Sequence, residues 1–289
     1  MGDYRLGNGD WPNWLDRYHA GAAPRAARSK HYRSIWISDV HLGTRVCKAE
    51  ALLAFLRDHQ ADHLFLVGDI VDGWNLGASW HWSPAQAAVC ETIAAWRRNG
   101  TRVVFLPGNH DELNEREVRH LFGPIEVVSD LVHRTADGRR MLTIHGHQFD
   151  GSLNPNRWMS SMKGRQAYAT VLRINEWCNR ERGNPRSISL SRYLKYRLRK
   201  AVEYLTDFAD YAVSEAARQY KADGVICGHI HRAEQRLIGD ILYVNDGDWV
   251  GNLSAIAEDH DGLLHLLRWN RELGRSTLPD PVGATMGLS

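Results

Sequence analysis

Five short apolar runs, each breaking off in a loop that carries acidic, amide or imidazole side chains, constrain this chain more than any other feature. Ser34-Ile35-Trp36-Ile37 leads into Ser38-Asp39-Val40-His41, His63 to Val67 into Gly68-Asp69, and Arg102 to Leu106 into Pro107-Gly108-Asn109-His110-Asp111. Met141 to Ile144 leads into His145-Gly146-His147, and Gly224 to Cys227 into Gly228-His229-Ile230-His231. Runs of this length, rich in β-branched and aromatic residues and closed by Gly or Pro, read as buried strands. Ala49, Leu52, Leu53 and Leu56 form a helical stripe between the first two runs. Val89, Ile93 and Trp96 form another between the second and third, ended by Asn99-Gly100. The order is βαβαβ, which implies parallel strands with helices packed on the sheet. Such a sheet lines its strand ends along one edge and so collects the loop side chains there.

Beyond Asp111 the pattern changes. Ile125–Val128, Leu131–Thr135 and Met141–Ile144 read as shorter strands, the last two joined by the turn-like Ala136-Asp137-Gly138. Gly151 to Tyr220 interrupts the β pattern with Leu190, Leu194, Leu198, Ala201, Leu205, Phe208 and Ala212 at spacings of four and three. Strand candidates then resume at Glu234–Ile238, Ile241–Asn245, Ser254–Ala257 and Leu263–Arg268. The expected fold is α/β: a two-sheet α/β sandwich with a helical insert. Residues 1–32 and 271–289 lack sustained periodicity and read as flexible tails. Residues 33–270 read as one domain with the insert at about 151–220, since 289 residues suit one substantial core.

Bulk properties exclude little but direct the rest. A net charge of +2 argues neither for nor against nucleic acid, and no apolar stretch approaches the roughly 18 residues that span a bilayer. Four cysteines (Cys47, Cys90, Cys178, Cys227) without Cys-x-x-Cys spacing read as reduced thiols, two of them in the core, and imply a cytoplasmic address. Walker A and Gly-x-Ser-x-Gly patterns are absent, which disfavours an NTPase or a serine hydrolase.

Taken singly, each loop has an ordinary explanation. Asp-x-His is common by chance, Gly-Asp is usually a turn, and Asn or Asp caps helices. Together, Asp39, His41, Asp69, Asn109, His145, His229 and His231 offer oxygen and imidazole donors without thiolate, a set suited to two hard or borderline cations that hydrolyse phosphate esters. Asp69 is the natural bridge, because one carboxylate can give an oxygen to each of two ions. With Asn109 on a metal, His110 can reach substrate, and Asp111 is expected to orient its ring.

The series Asp-x-His, Gly-Asp, Gly-Asn-His-Asp, His and Gly-His-x-His, over about residues 34 to 270, resembles the calcineurin-like metallophosphoesterase superfamily. The resemblance implies one metal on Asp39, His41, Asp69 and His231 and a second on Asp69, Asn109, His145 and His229. It also implies a metal-bridging hydroxide as nucleophile, with His110 stabilising the transition state or serving the leaving group. Mn²⁺ is the expected metal, with Fe, Zn or Co compatible with the same donors. Ile37 to Gly43, Leu66 to Trp74 and Val244 to Trp249 are similar to the UDP-2,3-diacylglucosamine hydrolase-like subgroup. Members in the lipid A pathway cleave the pyrophosphate of a diacylated UDP-sugar and release UMP. That subgroup typically carries Gly-Asn-Arg-Asp and an acidic residue after His-Gly, where this chain has His110 and His147. The alternatives are a general phosphodiesterase or phosphatase on soluble nucleotides or phosphoproteins, and third, a nucleic-acid-binding protein or nuclease.

Residues 151–220 contain thirteen Lys and Arg against six Asp and Glu, with Arg192, Lys195 and Arg199 on one helix face. They read either as a solvated face or as a cationic lid for an anionic, glycolipid-nucleotide substrate, with peripheral membrane contact through the insert. Trp74, in the loop after Asp69, is a candidate for stacking a nucleobase or sugar, or for packing.

Overall fold

The computed structural model describes residues 30–73, 80–148, 210, 213–270 and 274–277. The chain divides into two compact units, Met1–Gly146 with Tyr220–Ser289 and His147–Gln219. Strands β1 (Lys30–Ile37), β2 (His59–Val67), β3 (Arg102–Leu106) and β4 (Glu126–Val127) pair in parallel in that order. On the other side of β1, β10 (Ser254–Glu258), β11 (Leu264–Asn270) and β12 (Arg275–Thr277) continue the sheet antiparallel. A second sheet has the order β5-β6-β7-β9-β8, built from β5 (Leu131–Arg134), β6 (Arg140–Thr143), β7 (Gly224–Cys227), β8 (Glu234–Ile238) and β9 (Ile241–Asn245). The expected α/β sandwich of two sheets is what forms.

Strand alternation divides the core in two. Ile35, Ile37, Leu64, Leu66, Val103 and Phe105 face α1 (Ala49–Asp58) and α2 (Pro84–Arg98), where Leu52, Leu56, Val89, Ile93 and Trp96 complete one cluster. Trp36, Phe65, Val67, Val104 and Leu106 point the other way and meet Met141, Ile226 and Val244 of the second sheet. Burial on both faces explains why β1 to β3 read as unbroken apolar runs. Trp36 satisfies its indole by donating to Thr143 Oγ1 at 3.0 Å across the two sheets. Ser83 starts α2 by accepting from Gln86 N at 3.2 Å, with Pro84 in the first turn where its missing N–H costs nothing.

Three boundaries differ from the sequence reading. β1 begins at Lys30 and β12 occupies Arg275–Thr277, both inside stretches read as tails. Each is an edge or end segment held by backbone pairing, which leaves no hydrophobic period in the sequence. A third helix, α3 (Glu115–Phe122), lies where only loops and strands were expected. It is announced by a capping box, Asn114 with Glu117, and by Val118, Leu121 and Phe122 at helical spacing. Cys47, Cys90 and Cys227 are buried free thiols, while Cys178 lies outside the described residues.

One buried polar knot ties the sheets together. Glu258 accepts from Arg33 Nη1 at 2.5 Å, Ser34 Oγ at 2.7 Å and Ala136 N at 2.8 Å, and faces His133 Nε2 at 2.7 Å. Burial alone would raise its pKa, but the His133 and Ser34 hydrogen bonds hold it below the ordinary glutamate value. A depressed folded pKa means this stabilisation is complete above the unfolded value and drains as pH falls through the folded one. Glu258→Ala strands Arg33 and His133 and is expected to cost about 3–5 kcal/mol at pH 7 in denaturant unfolding. The gap between variant and wild type should narrow in acid, below the unfolded glutamate value of about 4.3.

Candidate metal centre

The loops that follow β1, β2, β3, β6 and β7 converge because their strands are neighbours, and their backbones bond to one another. Asp39 N donates to Gly68 O at 3.0 Å, while Val40 N and His41 N both donate to Asp69 O at 2.9 Å. Of seven non-glycine residues with positive φ among those described, five are Asp39, His41, Asp69, His229 and His231. Left-handed backbone costs an L-residue roughly 1–2 kcal/mol. Its concentration on these loops marks a site where side-chain placement outranks local comfort. Close approach also requires glycine at two positions. A Cβ on Gly68 would collide with the His145 ring, and one on Gly108 with Asp69 and His145.

Six of the seven expected ligands fall into two clusters whose donor atoms lie within 4.8 Å of one another: Asp39, His41 and His231, and Asp69, His145 and His229. Asp69 stands between them. Its Oδ1 lies 3.4 Å from His145 Nε2 and accepts from His110 N at 2.8 Å, while its Oδ2 lies 3.9 Å from both His41 Nε2 and His110 Nε2. In the other cluster, His231 Nε2 lies 3.2 Å from Asp39 Oδ1. Among the described residues, Asn109 Oδ1 is buried and accepts no hydrogen bond, and Asp39 Oδ1 is likewise buried with no hydrogen bond beyond its ion pair with His231. An unsatisfied buried carboxylate or amide oxygen is costly, and a cation removes that cost. The donor set and these two oxygens fit a pair of divalent ions.

Protons do part of the work of those charges. Burial would lower the pKa of His145, but Asp69 and Asp39 push it up to about 9; His231 reaches about 9 through Asp39 and Asp248 against the same burial. Burial would raise Asp69, yet His145, His110 and His41 hold it far below the ordinary carboxylate range. Cation binding therefore displaces protons from imidazoles.

A ring of supporting groups aims the donors. A carbonyl can only accept, so the 2.8 Å contact to Val67 O places a proton on His145 Nδ1 and presents Nε2 to Asp69. Asp248 Oδ2 lies 3.5 Å from His231 Nδ1, and Asp248 is itself fixed by the N–H groups of Val250 and Asn252. Asp72 gives one oxygen to His41 Nδ1 and the other to His110 Nδ1, each at 3.5 Å. Ser38 Oγ is 2.5 Å from both Asp39 Oδ2 and Asp246 Oδ1. One serine proton cannot serve both contacts. Both are satisfied when Asp246, pushed well above the ordinary range by burial and by Asp39, is protonated and donates to Ser38.

The carboxylate facing the His110 ring is Asp72 rather than the expected Asp111. Asp111 spends both oxygens on backbone, accepting from Val71 N at 2.7 Å and Gly108 N at 2.8 Å, and so ties two ligand loops together. Burial and the nearby Asp69 raise its pKa to about 6. Asp246 and Asp248 received no role from the sequence. Their signal was two acidic residues directly following the apolar strand β9. Trp74, Arg192, Lys195 and Arg199 lie outside the described residues.

The sequence profile of the calcineurin-like phosphoesterases matches residues 32–233, the span that carries all seven expected ligands. The chain belongs to the calcineurin-like phosphoesterase family. It is a metal-dependent phosphoester hydrolase. Relatives of this phosphoesterase include the UDP-2,3-diacylglucosamine hydrolase of Xanthomonas campestris pv. campestris, 27% identical over 256 residues, covering 80% of this chain and 96% of the relative. The enzyme of the same name from Stenotrophomonas maltophilia is 26% identical over 243 residues, covering 79% and 96%. Among solved structures, the phosphoesterase Yfce of E. coli aligns with a TM-score of 0.40 at 20% identity, over 82% of this chain and 93% of that one.

Proposed function

We propose that this phosphoesterase hydrolyses the pyrophosphate bond of a UDP-linked acylated sugar and releases UMP. The similarity to hydrolases of UDP-2,3-diacylglucosamine, running through 96% of the Xanthomonas protein, carries the reading. Asp39, His41, Asp69 and His231 would hold one divalent ion, and Asp69, Asn109, His145 and His229 the other, with Mn²⁺ the expected metal. Such a pair supplies Lewis-acid polarisation of the phosphoryl oxygen and a water acidified enough to attack at neutral pH. The remaining work falls to protein groups. His110, whose pKa burial would lower but Asp72 and Asp69 raise, is the group assigned to protonate the leaving group. Arg192, Lys195 and Arg199 are assigned to the anionic part of the substrate, and Trp74 to its base or sugar. A basic insert of this kind suits a peripheral location at an anionic membrane surface.

A second reading has its own support. His110 stands where the lipid A subgroup typically has arginine, which favours a phosphodiesterase acting on soluble substrates. Detergent-solubilised UDP-2,3-diacylglucosamine with Mn²⁺ is expected to yield UMP. Absence of UMP alongside turnover of bis-p-nitrophenyl phosphate would overturn the first reading in favour of the second.

A further inference from the structure

Three metal-binding side chains converge a second time, at the opposite edge of the large sheet. His31 lies at the start of β1, Asp62 in the first half of β2, and His260 in the turn between β10 and β11. The catalytic loops leave the far ends of β1 and β2, so this group stands roughly 20 Å from them at about 3.3 Å per strand residue. Backbone register brings the three together. β1 is parallel to β2, with His31 opposite Gln60, and antiparallel to β10, with Ser34 opposite Glu258. Two residues beyond Glu258, the chain at His260 comes level with the start of β1.

His31 Nε2 lies 3.3 Å from Asp62 Oδ1, and His31 Nδ1 lies 3.4 Å from His260 Nε2. The two imidazoles are parallel, with ring centroids 5.5 Å apart. One donor atom from each of the three residues falls within 4.8 Å of the other two. One ion takes a single His31 nitrogen, and a tetrahedral centre with bonds of about 2.0–2.1 Å spaces its donors about 3.3 Å apart, inside the 4.8 Å limit that the three donor atoms meet here. Side-chain exposures of 46% for His31 and 51% for Asp62 leave both free to make the small turn that points one nitrogen and one oxygen at a common centre. The turn carrying His260 is held by Asp259 Oδ1, which accepts from Asp261 N at 3.0 Å and Leu263 N at 2.9 Å. That donor therefore stands on a fixed frame. Beside the group opens a cleft of about 540 Å³, lined by His31 and Asp62 together with Trp96, Asn99 and Thr101.

We propose that His31, Asp62 and His260 form a zinc site separate from the catalytic centre. Two imidazoles and one carboxylate are a borderline donor set that suits Zn²⁺ better than Mg²⁺ or Ca²⁺, which favour oxygen. Three protein ligands leave a fourth position for water. The ion joins the starts of β1 and β2 to the β10–β11 turn, adding a shared centre to the His31–Asp62 and His31–His260 contacts.

The full-length protein, equilibrated with zinc chloride, is expected to bind one more equivalent by elemental analysis than either His31→Ala or His260→Gln. Turnover of bis-p-nitrophenyl phosphate should be the same in all three. A residue-specific reading comes from diethyl pyrocarbonate, which acylates free imidazole nitrogen. Zinc at ten times its Kd should slow acylation of His31 and His260 about tenfold, read by peptide mass spectrometry, and Asp62→Asn should weaken that protection. Equal zinc content in all proteins, or acylation of both histidines at the same rate with and without zinc, would overturn the site. The pair would then be a surface imidazole hydrogen bond and nothing more.

Discussion

Asp69→Asn is expected to fold normally and to have no measurable turnover. The substitution keeps the shape of the side chain and an oxygen able to accept from His110 N, so the loop geometry survives. What it removes is the anionic charge standing between two donor clusters, with Oδ1 toward His145 and Oδ2 toward His41 and His110. Both proposed ions draw on that carboxylate, and an amide offers only one neutral oxygen in its place. Bound metal should fall from two equivalents to one or none by elemental analysis. Turnover of bis-p-nitrophenyl phosphate should drop at least about 10³-fold, or roughly 4 kcal/mol of transition-state stabilisation. Thermal unfolding close to that of the wild type would assign the loss to the site rather than to the fold. A variant that keeps both ions and wild-type rate would remove Asp69 from the centre of the assignment.

The sequence picked out side chains that the fold brings together, six of the seven expected ligands lying in two clusters, and there is a physical reason why it reached no further. Strands buried on both faces must be apolar throughout, so a polar residue at the strand end stands out. Asp39, Asp69, Asn109, His145 and His229 are all of this kind. The groups that aim them are a different case. Asp72 follows a ligand loop by three residues and looks like part of the same turn, yet it serves two imidazoles drawn from different loops. Asp111 sits beside His110 in sequence, yet its two oxygens accept from the backbone of Val71 and Gly108. Adjacency in the chain misled because successive residues of a loop diverge, while residues from different loops meet. The left-handed backbone at five of the expected ligand positions also left no trace, since it falls on Asp and His rather than Gly. In the fold, β12 and the first residues of β1 escaped because backbone pairing needs no side-chain pattern.

His110→Ala is expected to retain both ions and lose about 10²- to 10⁴-fold in kcat, the range of a general acid or of a donor to developing charge. The role proposed for His110 differs from ligation in just this respect, and elemental analysis beside kinetics separates the two. Asp72 offers a second test of the same idea. One of its oxygens faces His110 Nδ1 and the other His41 Nδ1, at equal distances of 3.5 Å. Asp72→Asn should therefore slow the enzyme both by releasing the His110 ring and by loosening a metal ligand. Where its effect runs through His110, the double variant is no slower than His110→Ala alone, because the second change has nothing left to misplace. Where it runs through His41, the losses multiply and bound metal falls with them. Measuring rate and metal in the same four proteins thus tells which imidazole this carboxylate serves in the reaction. Loss of an ion from His110→Ala itself would make His110 a ligand and leave the proton to another group.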